Sequence, residues 1–201
     1  MSAPRPVSAA VLTALVCAGS LAAQELPTYY PDLTITGFAS IPWGTRLDVV
    51  IQNRGEPSQV SDDWQGLQVL VYQDELLGED AIVSLMVHPE KGLIKGAYGI
   101  VYGMGSDCLA VFRRLREAIA ERYASIKVDE NRFNNSSLDF CGGVTIGKAG
   151  WSAMWQDPVD SRVRVGMILA PESRHIAIHY EGPGFEEWRE GKEKAEVRKK
   201  F

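Results

Sequence analysis

The chain is short of the residues on which most chemistry rests. Its 201 residues include only 3 histidines and 3 cysteines. No Ser-His-Asp set stands at a recognisable spacing, and no nucleophile elbow is present. His175 and His179 are four apart, a spacing that meets at one metal on a helix, but they sit in an alternating, strand-like run. A strand rises about 3.3 Å per residue, which separates them by roughly 13 Å. His88 has no partner in sequence. The glycine-rich Gly103-Met104-Gly105-Ser106-Asp107-Cys108 lies where a phosphate loop belongs, yet it has no Walker lysine, and Asp107 repels phosphate. Acids crowd Asp74, Glu75, Glu79 and Asp80, with Asp62-Asp63 and Asp157/Asp160 elsewhere. Their spacing matches no calcium loop, which demands six to eight shaped oxygens. These absences argue for no catalytic residues, no metal and no cofactor. Basic surplus is lacking too. The formal net charge is −5, which gives no electrostatic reason to bind nucleic acid or anionic lipid.

Beyond residue 23 no stretch is apolar enough to span a bilayer. Residues 1–23 read as a signal peptide: Arg5 is their only charge, Val7 to Ala18 is an apolar core, and small residues at Ser20, Ala22 and Ala23 mark a cleavage site. The expected compartment is secreted or periplasmic, with no transmembrane segment in the mature chain. Cleavage removes Cys17 and leaves Cys108 and Cys141. In an oxidising compartment an even pair reads as a disulfide. A Cys108 nucleophile at a helix start is the alternative, although Asp107 beside it raises a thiol pKa.

One helix dominates what is present. From Ser106 to Ser125, apolar groups recur at Cys108, Phe112, Leu115, Ile119 and Tyr123, the spacing of one buried face. Ser106 or Asp107 caps it. Earlier, Arg46 to Arg54 predicts a shorter helix, with Thr45 as its cap and Asp48 completing a capping box, Gly55 at the C-terminal turn and Pro57 blocking continuation. Leu33 to Phe38 predicts a short strand. Between the helices, Leu67–Tyr72, Ala81–Val87 and Leu93–Tyr102 predict three strands, joined closely enough for an antiparallel meander. After the central helix, 127–137 reads as a polar loop carrying two overlapping glycosylation sequons at Asn134 and Asn135. Leu138–Ile146 reads as a strand bent at Gly142-Gly143, followed by strands at Trp151–Trp155, Arg162–Leu169 and His175–Tyr180. The tail 185–201 reads as a solvated helix, with Phe185 and Trp188 as candidate partner contacts beside Arg162 and Arg164.

The stretches from Val83 and from Val165 match at five positions under a shift of 82 residues: Val83 with Val165, Pro89 with Pro171, Glu90 with Glu172, Ile94 with Ile176, Tyr98 with Tyr180. The expectation is an α+β fold of two tandem helix-plus-antiparallel-sheet repeats, 24–105 and 106–184. The run Trp43-Gly44-Thr45, then Val49, then Gly55-Glu56-Pro57, resembles the helix signature of the outer-membrane assembly lipoprotein (SmpA/OmlA) and β-lactamase-inhibitor-protein superfamily. The match spans about fifteen residues. The second half lacks the Gly-x-Pro ending, and the lipid-anchoring cysteine is missing. The resemblance implies helices before an antiparallel sheet and a protein-binding style of function, with no residue roles to carry over. The first reading is therefore a non-catalytic protein that binds a protein partner on one sheet face. A hydrolase with convergent carboxylates is the alternative. A third reading is a carrier of a small apolar ligand near Trp151 and Trp155.

Overall fold

The computed structural model describes residues 34–63, 66–102, 107–124, 126–169 and 175–200. The proposed signal peptide, residues 1–23, lies outside them.

Within each of two four-strand runs, each strand pairs antiparallel with the one before it. The first meander comprises β3 (Gln59–Asp62), β4 (Gln68–Leu76), β5 (Glu79–His88) and β6 (Gly92–Val101). The second comprises β7 (Val128–Asn134), β8 (Ala149–Gln156), β9 (Arg164–Leu169) and β10 (His175–Glu181). Their last strands pair antiparallel, Ala97 opposite His179. The result is one eight-stranded sheet in the order β3-β4-β5-β6-β10-β9-β8-β7. The fold is α+β with a large antiparallel sheet.

Alternation decides what covers each face. Val83, Leu85, Ile100, Val165, Met167, Ile176, Ile178 and Trp155 point to one side and are buried. Over the first meander that side is covered by the β1–β2 hairpin (Gly37–Phe38, Ile41–Pro42) and α1 (Leu47–Arg54), through Phe38, Ile41 and Val50. Over the second it is covered by α2 (Cys108–Arg122) and α3 (Phe140–Thr145), through Phe112, Leu115, Ile119 and Val144. Helix α2 begins where expected, with Asp107 accepting from the Leu109 and Ala110 amides.

Four expectations need correcting. The polar segment 127–137 holds strand β7, and Leu138–Ile146 holds α3, whose start is capped by Asp139 accepting from the Gly142 amide. Strand β7 is an exposed outer strand and needs no apolar alternation. Helix α1 begins at Leu47 with Arg46 in the cap position and no side-chain cap; Thr45 instead donates to the Pro42 carbonyl. Finally, α4 (Pro183–Lys199) is docked rather than solvated. Phe185 and Trp188 bury against Leu67 and Ile94, with Val69 and Met86 beside them, covering one end of the second sheet face.

Candidate functional site

Beyond the end that α4 covers, no helix among the described residues packs on the second face of the sheet. Cross-strand partners share a face, so pairing lays out its surface row by row. One row runs Gln73, Ile82, Gly99, Ala177, Ile168, Ser152, Asn131. The next runs Val71, Ser84, Ala97, His179, Gly166, Met154, Asp129. Gly99 and Ala177 lie at the centre of the first row and Ala97 and Gly166 flank His179 in the second, with apolar residues left in solvent nearby. Ile82 is 42% exposed, Ile168 39% and Met154 42%. Val101 and Phe133 add to the same face at 58% and 39%.

Two glycines on the floor are not required by the backbone. A Cβ at Gly166 meets nothing within 4 Å, and at Gly99 only the Ile82 carbonyl oxygen at 3.9 Å. Gly96, on the covered face, contrasts with them. A Cβ there lies 2.1 Å from the ring of Phe38, which is itself wedged against Tyr98 and Tyr180. Gly96 is explained by packing; Gly99 and Gly166 leave an open trough. Glycine inside a strand weakens it, and it often marks the place where another chain or ligand comes close.

A charged row closes the trough beside α4. Glu181 receives Arg164 Nε at 2.5 Å and Lys95 Nζ at 3.4 Å. Lys95 also lies 4.1 Å from the centre of the Phe185 ring. Burial, opposed by Glu181, pulls the Lys95 pKa down. His179 stands in the trough, its Nδ1 buried without a hydrogen-bond partner. Burial, then the charges of Lys95 and His175, pulls its pKa below the ordinary imidazole range. His175 and His179 do lie on one strand, and no cluster of three or more His, Cys, Asp or Glu able to hold a metal occurs among the described residues.

Of the four candidate partner contacts, Phe185 and Trp188 are buried inside the molecule. Arg164 belongs to the charged row at the trough's end. Arg162 lies at the surface and binds Asp160, with Glu187 at 3.6 Å. The acids that a hydrolase needs are spread over separate tasks. Asp74 pairs with Arg54, Glu79 with Arg114 and Asp63 with Lys192. Asp157 is buried and accepts the Ile35, Val159 and Asp160 amides.

The covered side contains a cleft of about 380 Å³ between the C-terminal half of α2 and the β6–β10 seam. Leu115, Ala118 and Ile119 form its helix wall; Tyr98, Ile178 and Tyr180 form its floor; Leu76, Leu77, Gly37 and Ala39 contribute from two hairpins. The tryptophans expected beside a carrier's cavity pack against the core among the described residues. Trp155 is fully buried, and Trp151 stacks on Phe112 at 4.5 Å.

No family model, curated protein or solved structure matches this chain.

The Trp43-Gly44-Thr45 run is structural in this fold. The Trp43 indole donates to the Ile35 carbonyl, the Gly44 amide to Leu93, and the Leu93 amide to Thr45. Sequence reasoning missed the trough residues Gly99, Gly166 and His179. The signal was the glycine content of otherwise well-patterned strands.

Among the described residues no helix is long and apolar enough to cross a membrane. Cys108 and Cys141 are bonded, with Cα atoms 5.9 Å apart.

Proposed function

We propose that this chain is a non-catalytic secreted or periplasmic protein that receives a protein partner on the open face of its sheet. The observation that carries the reading is the trough: Gly99 and Gly166 leave its floor bare, while Ile82, Ile168 and Met154 stand exposed along its sides. Contiguous exposed apolar surface rimmed by polar groups is what a binding face presents. Lys95, Glu181 and Arg164 supply a charged rim at one end. A disulfide-bonded cysteine pair suits the oxidising compartment.

The same proposal includes a duplicated architecture of the kind the superfamily resemblance implies, with units near 24–105 and 106–184. Strand registers support it. Val83 pairs with Tyr98, and their counterparts 82 residues on, Val165 and Tyr180, pair with each other. Ala97 pairs with His179, its own counterpart under that shift. The trough would then straddle the junction of two similar units, with Gly99 from one and Gly166 from the other.

Gly166→Arg tests the reading, because a Cβ there meets nothing within 4 Å and the longer side chain extends over the trough. Native envelope extract passed over immobilised wild type should yield one stoichiometric protein partner. Gly166→Arg, with an unchanged unfolding midpoint, should lose it. Retention by the variant, or no stoichiometric partner for the wild type, overturns the assignment.

A further inference from the structure

The cleft beneath α2 is on the opposite side of the sheet from the trough, and its construction differs. Its floor is made of phenols. Tyr180 is half-buried and hydrogen-bonded to Tyr123, and desolvation raises the pKa of both Tyr180 and Tyr98, so these hydroxyls stay protonated. Tyr98 lines the cleft, and its protonated hydroxyl is a donor that an occupant can meet. Apolar side chains make most of the remaining lining. The two charged liners, Glu121 and Arg122, are exposed and opposite in sign, so the cleft favours neither an anion nor a cation.

Backbone strain marks the mouth. Ala39, Ser40 and Leu77 are the non-glycine residues with positive φ among the described residues, at 47°, 65° and 54°. They occupy the tips of two-residue hairpins, where Asn-Gly is the unstrained choice. Ala39 and Leu77 both line the cleft, and Leu77 is half exposed there. Two hairpin tips of positive φ thus converge on the mouth of the cleft.

From these features we infer that the cleft is a binding site for a small, neutral, largely apolar molecule. Such a molecule lies between α2 and the β6–β10 seam and carries one hydrogen-bond acceptor that meets the Tyr98 hydroxyl. The volume suits a ligand of ordinary small-molecule size. The inference is independent of the partner face, because no residue is shared between the two sites.

N-phenyl-1-naphthylamine, a neutral fluorescent aromatic probe, tests the site with the full folded protein. Wild type should bind one equivalent with Kd on the order of 10 µM. Ala118→Trp fills the cleft from the half-exposed side of α2 and should abolish binding. Ketone probes sharing that site, measured by displacement, should weaken about five-fold in Tyr98→Phe, which removes the donor. Leu77→Asn, which relaxes the hairpin and removes the lip, is the second variant should Ala118→Trp unfold, and it should weaken the probe. Gly166→Arg should bind as wild type does. Three results would each overturn the assignment: no saturable binding by wild type, undiminished binding by both folded cleft variants, or loss of binding in Gly166→Arg.

Discussion

His179 is the residue whose environment departs furthest from what its position in the sequence suggests. It reads as one member of an exposed strand pair, yet its ring is half-buried in the trough with Nδ1 unsatisfied. Desolvation first, then Lys95 and His175, disfavour its charged form, and Glu181 only partly opposes them. Its folded pKa therefore lies below the unfolded value. In the window between the two, the unfolded chain binds more protons, so stability rises with pH. The contribution is complete above the ordinary imidazole pKa and is lost as pH falls through the folded one. His179→Gln should consequently lose less stability than wild type between pH 7.5 and pH 5 in chemical denaturation. Equal losses would show that the imidazole titrates as it does in the unfolded chain. The residue scale also separates two kinds of glycine that look alike in the sequence. Gly96 is held by the Phe38 ring, whereas Gly99 and Gly166 face open space.

At the scale of elements, what was legible followed from periodicity. Helix α2 shows its buried face at Cys108, Phe112, Leu115 and Ile119 because it lies across the core with one side wet. Strands β4, β5, β6, β8, β9 and β10 were legible because each has one covered face. Strand β7 was not, because it is an outer strand of exposed polar residues whose pairing with β8 comes from the backbone. Helix α3 was not, because six residues with two glycines give no period; its visible clue was Asp139 as a cap. The docking of α4 was hidden because two apolar groups, Phe185 and Trp188, carry it on an otherwise charged helix. The trough was hidden for a different reason: it is defined by side chains that are missing, and only the register brings Gly99 and Gly166 onto one face. The β4–β5 hairpin supplies a test at this scale. Its tip places Leu77 at φ 54° before Gly78 at φ 81°, a turn that Asn-Gly satisfies without strain. Leu77→Asn should raise stability by about 1 kcal/mol, read as a higher denaturation midpoint with unchanged slope. A lowered midpoint would mean that Leu77's packing at the cleft mouth outweighs the turn strain.

Across the whole molecule, two surfaces of different kinds face away from each other, and the disulfide belongs to one side only. Cys108 opens α2 and Cys141 lies in α3, both on the covered face. The expectation tied Cys141 to a strand; it is a helix that the bond fastens, and α3 is the short, glycine-containing element least able to hold itself. The bond closes a loop over a sequence separation of 33 residues, for which chain entropy predicts about 4 kcal/mol, less any native-state relaxation. Replacing both cysteines with Ala should therefore cost about 2–4 kcal/mol. The trough is built from β5, β6, β8, β9 and β10 on the far face, so partner capture should survive the double replacement under conditions where the variant is folded. Urea unfolding with and without reductant, run beside the capture assay, measures both. Loss of capture from a variant that still unfolds cooperatively would place the partner on the α2–α3 side and move the binding face to the other surface of the sheet.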